Sequence, residues 1–236
     1  MLWELQPQAV VFQGPKGTPS LVRWVGNEQG KAPYPCWSAI EDFTGDNECP
    51  QSGDGSADGT VWAPAESDMP NRNHQWIWIA GTDHLLYSVD ELVERYYLSV
   101  GRNTNLLIGM VIDDKGLVPE ADVRQFTVFG GEIRRQFSQK IKEIGGQGDT
   151  LTLNVGQPTQ INHVVIMENI AEGERVREYA IDVMVDREWA EICRGFSIGH
   201  KRIEHFEPIK TSQVRFRCVK SIAEPLIQSL AVLKNN

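Results

Sequence analysis

The sequence predicts an α/β unit followed by an all-β unit. Three observations carry this. Short, wholly apolar runs alternate with helical patterns in the first part of the chain, and past residue 150 helical spacing gives way to period two. Charge also separates: residues 1–149 hold 12 Lys+Arg against 21 Asp+Glu, whereas residues 150–236 hold 11 of each. Six of the seven tryptophans (Trp3, Trp24, Trp37, Trp62, Trp76, Trp78) fall in the first part, and Trp189 alone in the second.

In the first part, AVVF (9–12), TVWA (60–63) and NLLIGMVI (105–112) read as strands buried on both faces of a parallel sheet. Ser88 and Glu91 form a capping box, and Leu92, Val93, Tyr96, Tyr97 and Val100 follow at helical spacing. A second helix starts near Pro119, with Phe126, Phe129, Ile133, Phe137 and Ile141 every three or four residues. Gly130-Gly131 lowers its stability. Residues 41–60 carry six acids and little that is apolar, which reads as a long solvated loop. Its DGSADG segment looks like the start of a calcium loop, but Ala65 stands where a bidentate Glu is needed, so no metal site is expected. EIGGQGD (143–149) reads as a turn or linker and divides the chain into residues 1–142 and 143–236.

In the second part, Tyr179, Ile181, Val183 and Val185 alternate with Ala180, Asp182, Met184 and Asp186, the pattern of a half-buried strand. Val214, Phe216 and Cys218 alternate with Arg215 and Arg217 likewise. LTLNV (151–155), INHVVIM (161–167) and WAEICRG (189–195) are further strands. Several short strands in under 90 residues point to a β-sandwich.

Composition narrows the functional class. The 236 residues carry a net charge of −9, the wrong sign for nucleic acid or an anionic membrane surface. No apolar run reaches the roughly 18 residues of a membrane span. The start, MLWELQPQAVVF, lacks a basic region followed by an apolar stretch, so no secretory signal is expected and the compartment stays open. Cys36, Cys49, Cys193 and Cys218 form no CxxC pair. GxSxG, HExxH and P-loop motifs are missing, and no cofactor is implied. His200 and His205 are five apart on strand-like sequence, on opposite faces, and so make a poor metal pair.

Two carboxylates stand among tryptophans. Glu28 lies in VRWVGNEQG (22–30), and Glu66 in VWAPAESDMP (61–70) with Asp68 close by. Aromatic faces stacked on sugar rings, with acids reaching the hydroxyls, are the usual chemistry of a carbohydrate subsite. Glycoside cleavage needs a carboxyl that can protonate the leaving oxygen, and a Glu desolvated by tryptophans suits that task. The structural alternative pairs Glu28 with Arg23 and Glu66 with Arg72, and spacing alone favours it. GRNTN (101–105) either binds a substrate or closes a helix.

LQPQAVVF, VRWVGNEQG, WS (37–38), DGTVWAPAESD and YYLSVGRNTNLLIGMVIDDKGLVPEAD in one order resemble the C-terminal part of the barrel of glycoside hydrolase family 29, the α-L-fucosidases. The run from VVIMENIAEGERVREYAIDV to the C-terminal SLAVL resembles the galactose-binding, discoidin-type β-sandwich that follows that barrel. The resemblance implies a partial (β/α)8 TIM-type barrel at 1–142 and a galactose-binding-like β-sandwich at 143–236. It implies retaining hydrolysis of terminal α-L-fucose from glycans, with an Asp nucleophile and a Glu acid/base at the C-terminal face of the barrel. The acid/base maps to Glu28. Glu66, Trp62, Trp76 and Arg72 fall where the family lines its sugar subsite. The family often shows Arg-Pro-Gly-Trp before its aromatic pair, whereas here Asn71-Arg72-Asn73-His74-Gln75-Trp76 departs from it.

The family's nucleophile belongs to a Trp-(Phe/Leu)-Asp-Gly segment upstream of LQPQAVVF. The expectation is therefore a chain inactive alone, with open strand edges covered by a second polypeptide or by self-association. The alternatives are a non-catalytic carbohydrate-binding module and a structural subunit of a two-chain glycosidase.

Overall fold

The computed structural model describes residues 2–43, 49 and 53–235. Much of the acidic loop expected at 41–60, namely residues 44–48 and 50–52, lies outside the described residues. The chain divides into two compact units, Met1–Val100 with Thr104–Ile133, and Gly101–Asn103 with Arg134–Asn236.

The first unit opens with one helical turn, α1 (Leu2–Leu5), and is organised on a four-stranded sheet. Its strands are β1 (Val11–Phe12), β2 (Leu21–Trp24), β5 (Ala65–Pro70) and β6 (Asn105–Gly109), all parallel and in the order β1-β2-β5-β6. Between β2 and β5 the chain forms an antiparallel ribbon of β3 (Ala39–Ile40) and β4 (Val61–Trp62). TVWA is thus not a strand of the parallel sheet. Its glycine-rich approach has a packing reason. A Cβ on Gly55 would stand 2.4 Å from the Trp37 carbonyl oxygen, and one on Gly59 would stand 2.5 Å from that of Ile40. The glycines of DGSADG therefore let two backbones touch.

Between β5 and β6 runs α2 (Val89–Leu98), started by the expected box: Ser88 Oγ accepts from Glu91 N, and the Glu91 carboxylate accepts from Ser88 N. Leu92 is its fully buried residue. After β6 comes α3 (Glu120–Phe137), which spans the Gly130-Gly131 pair.

The parallel sheet has one covered face and one open face. Leu21, Arg23, Ala65, Ser67 and Met69 point into the covered side, where Ser67 and Thr104 share a buried hydroxyl–hydroxyl bond of 2.9 Å. Val22, Trp24, Glu66, Asp68, Asn105 and Leu107 alternate onto the other side and are partly or fully exposed. The expectation that AVVF and NLLIGMVI are buried on both faces fails. β1 and β6 are the outer strands, and Val10, Phe12, Leu107 and Met110 are 68%, 51%, 41% and 54% exposed.

The second unit is built on six antiparallel strands hydrogen-bonded in the order β10-β9-β11-β8-β12-β7. The strands are β7 (Lys142–Gln147), β8 (Thr150–Glu168), β9 (Val176–Val185), β10 (Glu188–Gly195), β11 (Arg202–Ser221) and β12 (Leu226–Leu233). LTLNV and INHVVIM are two stretches of one long strand, and β11 pairs with its length through register shifts at His205/Ile209 and Thr211/Gln213. EIGGQGD is no linker, because most of it is β7. Glycine is required there since a Cβ on Gly145 would stand 2.7 Å from Gln228 O and one on Gly146 2.8 Å from Leu151 Cδ1. All six strands contribute to one apolar cluster, centred on residues such as Leu153, Ile166, Tyr179, Phe216 and Leu230.

β9 is buried on both faces rather than one. Tyr179, Ile181 and Val183 face the cluster, and Ala180 and Asp182 are buried as well. Arginines cover that second face. Arg215 and Arg217 bind Asp182 at 2.7 and 2.6 Å, and Arg215 also lies 4.2 Å over the Trp189 ring. Within GRNTN, Asn103 closes structure: at φ 71°, it donates to Glu174 and accepts from His200 N.

His205 stacks on His163 at 4.3 Å, and Phe137 meets His163 edge-on. Burial pushes His163 down to about 4, with His205 alongside adding to the effect. The unfolded chain therefore takes up this proton at higher pH than the folded unit does, and stability rises with pH. The contribution is complete above pH 6.5 and is lost as pH falls toward 4. It amounts to about 3 kcal/mol, at about 1.4 kcal/mol per pH unit. Thermal unfolding of the second unit is expected to fall over this range, and His163→Leu is expected to flatten the dependence.

In the first unit, Arg72 and Asp122 are both fully buried and bonded at 2.5 Å, and Arg72 also reaches Asp83 at 2.8 Å. Removing one partner strands a buried charge. Asp122→Ala is expected to cost about 3–5 kcal/mol, whereas Asp83→Ala, at an acid 61% exposed, is expected to cost less than about 1 kcal/mol. Chemical denaturation of the two variants checks the contrast.

Candidate active site

Register builds the site. Arg23 pairs with Ala65 and Trp24 with Glu66, while Glu66 pairs in turn with Asn105. Trp24, Glu66 and Asn105 therefore form a row across three parallel strands on the open face. Asp68 lies two residues beyond Glu66 on that same face. Beyond the C-terminal ends of the strands come the loop carrying Glu28, after β2, and the loop carrying Trp76, after β5.

Each acid accepts from one side-chain N–H donor. The Trp76 indole Nε1 donates to Glu28 Oε2 at 2.9 Å. The Trp24 indole donates to Asp68 Oδ1 at 2.6 Å, and Asn105 Nδ2 donates to Glu66 Oε2 at 2.8 Å. Each carboxylate keeps a second oxygen for another donor, an arrangement suited to a polyhydroxyl ligand. Burial pushes the Asp68 carboxyl above the usual carboxylate range; the Trp24 indole pulls it back and the charge of Glu28 pushes it up again.

The ion pairs that spacing favours do not form at these acids. Neither Glu28 nor Glu66 makes a salt bridge among the described residues. Arg23 is fully buried and donates to the carbonyls of Trp37 at 2.9 Å and Gly53 at 3.2 Å, so it holds the loop that follows β2. Glu28 itself is exposed. The sequence leads one to expect a carboxyl shut in by tryptophans. The structure instead anchors it along one edge by an indole and leaves its other oxygen toward solvent, because the sheet face beside it is uncovered.

The remaining candidates separate. Trp76 sits against Glu28. Glu66 lies on the open face but is tied to Asn105. Trp62 is 41% exposed on β4, in the ribbon and not in the parallel sheet. Arg72 is corrected: it has no exposed surface, its guanidinium is bound by Asp122 and Asp83, and it is not offered to a sugar. Sequence reasoning missed Trp24 and Asn105 as partners and left Asp68 without a role. The signal lay in AESDMP, where Glu66 and Asp68 alternate with Ala65, Ser67 and Met69 as on a strand with one polar face.

No family model matches the sequence. A solved protein of Bacteroides thetaiotaomicron, described as a "putative alpha-L-fucosidase", superposes with a TM-score of 0.93 at 35% identity, over 100% of this chain and 55% of its own. A solved glycoside hydrolase 29 family member from an unknown rumen bacterium gives a TM-score of 0.86 at 26% identity, over 100% of this chain and 44% of its own. Alpha-L-fucosidase 1 of Arabidopsis thaliana is 26% identical over 98% of this chain and 53% of its length. The chain spans about half the length of the curated relatives it matches. Over its full length, the chain is thus similar to proteins named α-L-fucosidase and to a solved glycoside hydrolase 29 family member, and it corresponds to about half of such a protein.

Proposed function

We propose that the chain is the C-terminal part of a retaining α-L-fucosidase, a partial (β/α)8 barrel followed by a galactose-binding-like β-sandwich, and that Glu28 is its acid/base. Similarity along the whole chain supports the reading, as does the parallel order β1-β2-β5-β6 with its functional loops at the strand C-termini. The observation that carries it is the Trp76–Glu28 bond. It fixes one carboxyl oxygen and leaves the other to face a glycosidic oxygen.

In this reading Glu28 gives its proton to the leaving oxygen as the C–O bond breaks. A carboxylate on the opposite side of the sugar takes the anomeric carbon. Glu28 then removes a proton from water as the water oxygen bonds the anomeric carbon and displaces the carboxylate, which releases α-L-fucose. The second carboxylate stands about 5 Å from Glu28 and comes from outside these 236 residues. A segment of different sequence covering the open sheet face is its source, and the exposure of Val10, Phe12 and Leu107 supports such a cover. The 236 residues are then inactive alone. The substrate is a fucosylated glycan. Trp62, Trp76, Glu66 and Asp68 contribute contacts to its sugars, and no cofactor takes part.

Leaving-group dependence tests the assignment. In the assembly that holds the second carboxylate, Glu28→Gln is expected to lower kcat/KM on a sugar-linked α-L-fucoside by about 10²–10⁴-fold. The loss is expected to be far smaller on a nitrophenyl fucoside, whose leaving group departs without a proton. Equal activity of the variant and the parent on the sugar-linked substrate removes Glu28 from the role.

A further inference from the structure

Gly109 is the last residue of β6, and the Trp76 indole lies against it. A Cβ built on Gly109 would stand 2.4 Å from Trp76 Cζ3 and 2.6 Å from Cε3. Real Cβ atoms do not approach carbon that closely, so the two side chains exclude each other. Gly109 has no need of glycine for its backbone, because it lies outside the positive-φ positions of the chain. It is a strand residue that any L-amino acid adopts, and glycine weakens a strand interior.

The backbone at this point is held on its β5 side. Gly109 is in register with Pro70, and its carbonyl accepts from Asn71 N at 3.1 Å. The Trp76 ring is therefore what must yield if a methyl group is added. The ring is gripped at both ends: its six-membered edge rests on Gly109, and the opposite Nε1 edge donates to Glu28 at 2.9 Å. The indole works as a strut between the end of β6 and the loop that follows β2.

We propose that Gly109 is a positioning residue for Glu28, acting through Trp76: its missing side chain is the seat that sets the indole where its N–H meets the carboxylate. The catalytic consequence rests on the acid/base reading of Glu28, whereas the geometric claim does not. It explains why a glycine occupies a strand end whose dihedrals do not require one.

The test uses the indole N–H resonances of the ¹⁵N-labelled chain, with the Trp76 peak assigned by its loss in Trp76→Phe. Glu28→Gln, which removes the charged acceptor, is expected to shift that peak and speed its exchange with water. Gly109→Ala is expected to shift the same peak and to leave the other indoles in place. If Gly109→Ala leaves the Trp76 resonance and its exchange unchanged, the proposal is overturned. Should Gly109→Ala fail to fold, the double variant Gly109→Ala/Trp76→Ala decides: recovery of a dispersed amide spectrum supports the seat, and continued unfolding overturns it. In the active assembly, Gly109→Ala is expected to lower kcat for a sugar-linked fucoside in the parent but not further in Glu28→Gln. A displaced indole with undiminished activity upholds the contact and overturns the positioning role of Gly109, while Glu28→Gln alone decides whether Glu28 is the acid.

Discussion

The parallel register of three strands governs the first unit. With Trp24 opposite Glu66 and Glu66 opposite Asn105, every residue two further along lies on the same face. A slip of one residue would send Glu66 and Asp68 into the covered layer beside Met69 and Ser67, where an unpaired carboxylate is costly. The polar and apolar sets of β5 therefore lock the register. That register in turn places the loops of Glu28 and Trp76 at neighbouring strand ends. The indole-to-carboxylate bond follows from strand order, and strand order follows from which side of each strand can tolerate water.

Buried charge is handled differently in the two units. In the first, Arg72 meets Asp122 and Asp83, and Arg23 donates to the carbonyls of Trp37 and Gly53, so both guanidinium groups tie loops to the framework. In the second, Glu168 is almost completely buried yet accepts from the N–H groups of Arg175, Val176 and Gly199 at 2.8–2.9 Å. Burial pushes its carboxyl up, those N–H groups hold it down, and the nearby Glu174 adds a smaller push upward. Burial likewise pushes the Cys193 and Cys218 thiols up.

Much of this architecture is legible in the residues, through local rules. The Ser88–Glu91 box marks a helix start because the orphan N–H groups of the first turn need acceptors. Alternation in Tyr179–Val185 marks a strand, although period two could not show that Arg215 and Arg217 would cover its other face. What escaped the sequence depends on contacts between distant residues. The glycines of EIGGQGD look like a linker, and only the approach of Gln228 and Leu151 makes them strand residues. AVVF looks doubly buried because apolar runs report what a strand can bury and not what is there to cover it. Arg72 looks available because nothing in NRNHQW announces Asp122, fifty residues on. For the site, acids among tryptophans were visible, but the exposure of Glu28 was not. The pairing of each acid with one donor was not, since it depends on strand order.

The central claim is that a fucosyl group is cleaved at Glu28, beside Trp76. A crystal structure of the active assembly soaked with L-fucose tests it most directly. The account predicts the sugar on the open face of the parallel sheet, with its anomeric oxygen within hydrogen-bonding distance of Glu28 and its ring near the Trp76 indole. Fucose seated instead in the cleft of the second unit lined by Asp186, Arg187, Lys210 and Gln213, with Glu28 left untouched, would contradict it.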